Sequence, residues 1–585
     1  MKNTALQRKP DAGNPHVRFD EGEVASVATP RRGVLPCRRR HLRQPRNLHC
    51  RQGGKLWLLS AMMFAGMAFA EDVIVNAGET RTLSGEQEYG SIFVNGTLTI
   101  EEDANITAGS FIMASGAVEN VSFALGRNAT LKVTGTEYRQ CAVGMGEGYG
   151  TAVLEEGAQF LPAKQMCVGV LTATNIIPAG MITIHLKPHA TIKSSATDSR
   201  FLFFAGQSKG TSLKPRSVLA AVTLDDGAVL DFSSMGIASQ PYARINFNGG
   251  WLRQSAWNYG MTAMVYCNLN WKYPSAPTWL YFTSIDGNPI KLEQNTHAHH
   301  TISIGGNGTR IQFEGDGDVV FCGTWQTANT SYQNALFGDN SSSIYFNNGG
   351  DVRLEGRRNP RLNTDATSNA SRNPIPEDKV LRIAEGASLD LNGYTITNAQ
   401  LVCDGELYSR YTSLTGTVVV TGGSTTNSTI ANITTNIAVR KEGAGSLAFT
   451  TNAADIAALD IVQGTVSFTG ISTAAKTTTV ERLSMSADTS LTSDGRTFIF
   501  NSLEMDGSAS AAVGTFAAVH GAAVRMDNMT PKGVMPLPFA FATATGKENL
   551  DSWTVVVNGA PCDKGVFFHQ GRLRLGRPGV SVIIR

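Results

Sequence analysis

The sequence predicts an all-β protein wound as a β-solenoid, and three observations carry that prediction. A short phrase keeps returning, the composition is that of strands and turns, and the phrase recurs at intervals that suit coils. The phrase is a turn-forming or charged pair, then Ala, a polar residue and a large apolar one. It reads Glu102-Asp103-Ala104-Asn105-Ile106, Arg127-Asn128-Ala129-Thr130-Leu131 and Glu156-Gly157-Ala158-Gln159-Phe160. It returns as Pro188-His189-Ala190-Thr191-Ile192, Asp226-Gly227-Ala228-Val229-Leu230 and Glu385-Gly386-Ala387-Ser388-Leu389. In an extended strand, residues two apart share a face, so Ala and the large residue point inward together. The Gly, Asn or Asp before Ala supplies the turn. The first five Ala positions lie 25, 29, 32 and 38 residues apart, which suits stacked coils with loops of varying length. The runner-up architecture, tandem β-sandwiches, calls for turn signals every 8–12 residues or so.

Sixty Gly and only 17% charged residues in 585 leave little material for long amphipathic helices. The formal charge of +2 conceals an asymmetry. Residues 1–70 hold 13 of the 50 Lys and Arg and 4 of the 48 Asp and Glu, so the remainder carries a net of −7. A mildly acidic body argues against nucleic acid as a partner.

Residues 1–54 form a basic extension, either a disordered n-region or a start assigned too far upstream. Residues 55–70 read as a signal peptide. Lys55 precedes an apolar run that ends in Ala68-Phe69-Ala70, with cleavage expected after Ala70. The run is shorter than the roughly 20 residues a bilayer needs, and no transmembrane segment is expected after cleavage.

Residues 71–356 are assigned to the solenoid, with an aromatic insert at about 240–300. Four of the seven Trp (Trp251, Trp257, Trp271, Trp279) and four Tyr lie between 242 and 279. Residues 357–379 read as a polar loop or linker, 380–540 as a second β-repeat section, and 541–585 as a C-terminal β cap. A cap is needed because an open strand edge invites aggregation.

The aromatic stretch supplies the binding candidates. Trp251, Trp257, Trp271 and Trp279 offer flat rings that stack on sugars, the competing reading being an insert packed on its own core. Asp316 and Asp318, in a Gly/Asp-rich turn, are the weak metal candidates. Asp225-Asp226 and Asp404-Gly405-Glu406 are acidic pairs in equally turn-like settings. His297-Ala298-His299 places two imidazoles on one strand face without a readable third ligand. Gly443-Ala444-Gly445 lacks the Lys-Ser/Thr of a phosphate loop, and no cofactor is expected. The six Cys after the leader show no zinc spacing. Cys141 and Cys167, in similar contexts 26 residues apart, are the disulfide candidate, a ladder of small buried side chains being the alternative.

One stretch resembles a known repeat. Lys441-Glu442-Gly443-Ala444-Gly445-Ser446-Leu447-Ala448-Phe449, followed by Leu459-Asp460-Ile461-Val462-Gln463-Gly464-Thr465-Val466-Ser467-Phe468, is similar to the autotransporter-associated β-strand repeat. The segment from Val143 to Leu154 resembles the Gly-rich coils of similar exported passenger proteins. The resemblance implies a right-handed parallel β-helix and a secreted or cell-surface location, expected to be a Gram-negative envelope. It also implies a structural or adhesive role toward extracellular glycan or cell-surface components. Too little chain follows the repeat for the family's translocator barrel. The function expected is therefore a non-catalytic exported surface protein; the alternative is a pectate-lyase-like enzyme that binds or cleaves glycans.

Overall fold

Each recurrence of the phrase is one corner of a coil. The structure, a computed structural model, describes residues 70–576 apart from internal segments, the longest being 171–181, 204–219, 324–334 and 364–374. At the corners Asp103, Asn128, Gly157, His189, Gly227 and Gly386 take positive φ between 54° and 76°. The following Ala donates its N–H back three residues, to Glu101, Gly126, Glu155, Lys187, Asp225 and Ala384. A hydrogen-bonded turn with positive φ only at its third residue is a type II turn, which explains the Gly and Asn found there. The turns also bond along the stack: Asp103 N–H donates to Arg127 O at 2.9 Å and Asn128 N–H to Glu156 O at 3.0 Å. The corner backbone is thereby satisfied without side-chain help.

Between corners the strands pair in parallel with their counterparts one coil away. Three strands make a coil in the first part: Val121–Leu125, Thr130–Val133 and Cys141–Met145 are followed by Gly150–Leu154, Gln159–Pro162 and Gln165–Val170. First strands form a ten-stranded sheet, and the rest join in a 39-stranded one. The phrase stacks on itself: Ile106, Leu131, Phe160, Ile192 and Leu230 stand in register, each at most 1% exposed. Ala104, Ala129, Ala158, Ala190 and Ala228 are likewise buried, at most 2% exposed. The outward positions between them, Asn105, Thr130, Gln159, Thr191 and Val229, are half-buried or exposed, so on these rungs the alternation read in the sequence is the partition between core and solvent. Tandem sandwiches are set aside by the parallel pairing that runs from Val73–Val75 to Thr554–Val557.

The stretch 240–300 is not an insert where it is described. Ala243–Phe247, Trp251–Gln254 and Thr278–Ser284 are rungs, pairing with the coils before and after. Ala243, Ile245, Phe247, Leu252, Leu280 and Phe282 still alternate inward, at 1% exposure or less, so the aromatic residues between them face out.

The polar stretch 357–379 does not break the stack either. Arg361–Asn363 within it pairs with Ala335–Phe337, and Val352 stands in register with Leu381. What changes is the coil. From there the register runs through Leu401, Val418, Val439, Leu459, Leu483, Leu503 and Val524. Those positions are 17–24 residues apart, two strands to the coil.

The repeat-like segment belongs to this part, and its Gly-x-Gly has a steric cause. A Cβ on Gly443 would collide with the carbonyl oxygens of Gly422 and Thr421, and one on Gly445 with those of Gly423 and Thr426. Successive turns approach too closely for any side chain. Lys441 occupies an inward ladder position between Val420 and Ile461, fully buried, and its Nζ donates to Gly443 O. Burial pulls its pKa below the usual lysine value, an effect that nearby Asp404 opposes.

The parallel ladder ends in antiparallel pairs. Arg572–Gly576 pairs with both Met535–Thr545 and Gly565–His569. Phe516, Phe539, Phe541, Trp553 and Phe568 pack there, and Trp553 Nε1 donates to Val519 O at 2.7 Å.

Candidate ligand-binding surface

The outward face of the ten-stranded sheet changes chemistry along the stack. One row runs Thr80, Thr97, Ser122, Thr151, Thr183, Ala221, Arg244, Tyr281, Gln312, Tyr345. Small hydroxyl side chains give way to arginine and rings. Beside this row Trp279 stands in register with Arg310. The Trp279 ring lies nearly parallel to Tyr281, with centroids 5.8 Å and planes 9° apart, and 6.0 Å from Tyr345. The Arg310 guanidinium sits 4.9 Å from the Trp279 centroid and 5.9 Å from that of Tyr345. Arg244 lies 5.3 Å over Tyr281. Such cation–ring contacts contribute about 0.5–1 kcal/mol each at exposed sites.

The two arginines differ in their charge partners. Arg244 Nη2 is 3.1 Å from Glu314 Oε1, and Glu314 also accepts from Thr283 Oγ1 at 2.9 Å and Gln312 Nε2 at 3.0 Å. Arg310 is exposed and has no carboxylate partner among the described residues. Trp279 and Tyr345 are half-buried, while Tyr281 is 2% exposed. The arrangement is a cluster of rings that carries, among the described residues, one cation without a carboxylate partner.

Of the four sequence-predicted tryptophans, Trp279 lies in this cluster. Trp251 stands on the outward face of the other sheet, with the Lys291 ammonium 4.3 Å from its ring centroid. The fold therefore does not gather these two into one row. Trp257 and Trp271 lie outside the described residues, as do His297 and His299. Sequence reasoning missed Arg244, Tyr281, Arg310 and Tyr345. The available signal was local: Trp279 and Tyr281, two apart in Thr-Trp-Leu-Tyr-Phe-Thr, must share the face opposite Leu280 and Phe282.

The acidic candidates are turn residues engaged by neighbouring coils. Asp318 accepts from Asp351 N–H at 2.8 Å and Arg353 Nη1 at 3.2 Å, while Asp316 lies exposed in the same turn. Asp225 meets His185 Nε2 at 2.8 Å and accepts from Asn248 Nδ2 at 3.0 Å. Asp404 accepts from the N–H and hydroxyl of Thr421. Among the described residues no three His, Cys, Asp or Glu side chains converge to hold a metal ion.

The candidate disulfide between Cys141 and Cys167 is not formed; both are buried thiols. Cys167 stands in register with Ala142 and Val168 with Val143, one place out of line. Neighbouring strand residues leave opposite faces of a sheet, so the two sulfurs diverge. Burial pushes the Cys141 thiol pKa well up, reinforced by Cys167.

A charge row on the long sheet escaped the sequence reading. Lys193, Asp231, Arg253 and Glu293 follow one another on successive coils, with Lys193 Nζ–Asp231 at 3.8 Å and Arg253 Nε–Glu293 at 2.5 Å. Asp231 is 4% exposed and accepts from Ser255 N–H at 3.2 Å. Burial raises its pKa, against the lowering effect of Ser255, Lys193 and Arg253. Compared with known families, curated proteins and solved structures, the chain has no match.

Proposed function

We propose that the chain is an exported, non-catalytic surface protein whose solenoid is a stiff scaffold holding a glycan-binding face outward. The observation that carries this reading is the outward cluster of Trp279, Tyr281 and Tyr345 with Arg244 and Arg310. Rings fixed on the strands of a sheet grip sugar faces without the cost of ordering a loop. Two further features support it. The first strand, Val73–Val75, begins three residues beyond the expected leader cleavage after Ala70. The inward ladder is continuous from coil to coil, so the face keeps its geometry over many rungs.

The test is binding of the intact exported chain to immobilised polysaccharides and cell-wall fractions, with wild type compared to Trp279→Ala. Retention that depends on Trp279 supports the reading, and absence of saccharide binding removes it. A second reading, a secreted glycan-cleaving enzyme, is favoured by Asp231 and Glu293. These carboxylates stand two rungs apart, about 9–10 Å by strand spacing, with Arg253 between them. Turnover of any polysaccharide in a panel assayed with and without Ca²⁺, lost in Glu293→Gln, would select that reading instead.

A further inference from the structure

We propose that the ligand of the aromatic face is an acidic polysaccharide, whose carboxylate or sulfate oxyanion is received by Arg310 while its sugar rings lie along Trp279 and Tyr345. The inference deepens the glycan reading and rests on it. It starts from charge accounting on three neighbouring rungs. Glu314, on the strand that carries Arg310, already receives Arg244, Thr283 and Gln312. Arg310 lies near the start of that strand, exposed, with the Trp279 and Tyr345 rings on one side of it.

A guanidinium seated against two neighbouring rings is oriented yet keeps an N–H edge for an oxyanion, the geometry in which arginine outperforms lysine. The neighbouring rings also lower the local dielectric, so an anion bound there gains more than at a bare surface. Residues 71–585, Arg310 included, have a net charge of −7, which repels acidic polymers at long range. Retention of a polyanion therefore calls for a local site of this kind rather than a diffuse basic surface.

The experiment measures binding of the intact chain to two matched pairs: polygalacturonate against its methyl-esterified form, and dextran sulfate against dextran. The acidic member of at least one pair is expected to bind about tenfold more tightly than its neutral partner. Which pair responds separates carboxylate from sulfate. Arg310→Gln is expected to lower affinity for the acidic polymer about tenfold and so remove that preference; Arg310→Lys restores it only in part. Affinity for the acidic polymer falls with added NaCl.

Equal binding of acidic and neutral members overturns the inference but leaves the glycan reading standing. Failure of all four polymers overturns both. Acidic binding that survives Arg310→Gln places the anion elsewhere and also overturns it. Arg310 is exposed and gives up only its ring contacts, so both variants are expected to keep the wild-type circular dichroism spectrum, which confirms that the loss is local.

Discussion

Replacing Phe160 by Ala probes the stacking on which the whole architecture depends. Phe160 is 1% exposed, lies between Leu131 and Ile192 in register, and has ring centroids at 5.5 Å to Phe111 and 6.4 Å to Phe123. Phe→Ala in a core costs about 3–5 kcal/mol, the spread reflecting how far the site can collapse. Collapse is resisted here, because parallel ladders hold neighbouring strands about 4.8 Å apart. The expected cost is thus about 4 kcal/mol. A solenoid couples each coil mainly to its neighbours, so the loss should be local. Hydrogen exchange read by mass spectrometry is the assay. Protection in Asn105–Met113, Thr130–Val133 and Thr191–Lys193 should fall by roughly 10²–10³, while Thr497–Asp506 keeps its own. Gln159→Ala, one residue away on the outward face, is the control, with an expected effect within about 0.5 kcal/mol. Equal effects of the two substitutions, or loss of protection spread evenly along the chain, would refute the stacked ladder.

Three further outcomes follow from particular contacts. Gly443→Ala forces a Cβ against the backbone oxygens of Gly422 and Thr421 and should destabilise its coil by about 1–3 kcal/mol, read as local exchange; a neutral result would mean the turns are not in close contact. Cys141 and Cys403, the latter with a pKa pushed up to about 12 by burial and Asp404, should resist alkylation at pH 8 in the native protein. Both Cys141 and Cys167 should alkylate in denaturant without reductant, and recovery of a peptide bridging them would contradict the register found. Asp231 is protonated more readily folded than unfolded, so its contribution to stability is full at low pH and is lost as pH rises through its raised pKa. Asp231→Asn should flatten the melting-temperature profile above about pH 4, the ordinary carboxylate range from which its pKa is raised; an unchanged profile would show that the group is not desolvated.

Much of the fold was readable because its determinants are local. Turn, small inner residue and large inner residue lie within five positions, and strand periodicity sends Ala104 and Ile106 to the same side whatever the rest of the chain does. The turn residue was equally legible, since positive φ selects Gly, Asn or Asp; His189 is the exception. The aromatic stretch misled because its rings sit at the outward positions of strands whose inward residues are unremarkable aliphatics. A count of Trp and Tyr registers the rings and overlooks the alternation. The stretch 357–379 misled for a related reason: the coil shortens there, and a change in period looks like a boundary.

Composition and alternation alone decided that the chain is β, which residues face inward, and where its corners fall. Tertiary structure decided which outward residues meet. Arg244, Trp279, Arg310 and Tyr345 are separated by 31 to 35 residues at each step, and loops of unequal length lie between them. Only the inter-strand register, set by burying each coil's apolar face on the next, brings their side chains into one cluster. The same register divides Cys141 from Cys167 by a single place, because a shift of one residue turns a side chain to the other face of the sheet.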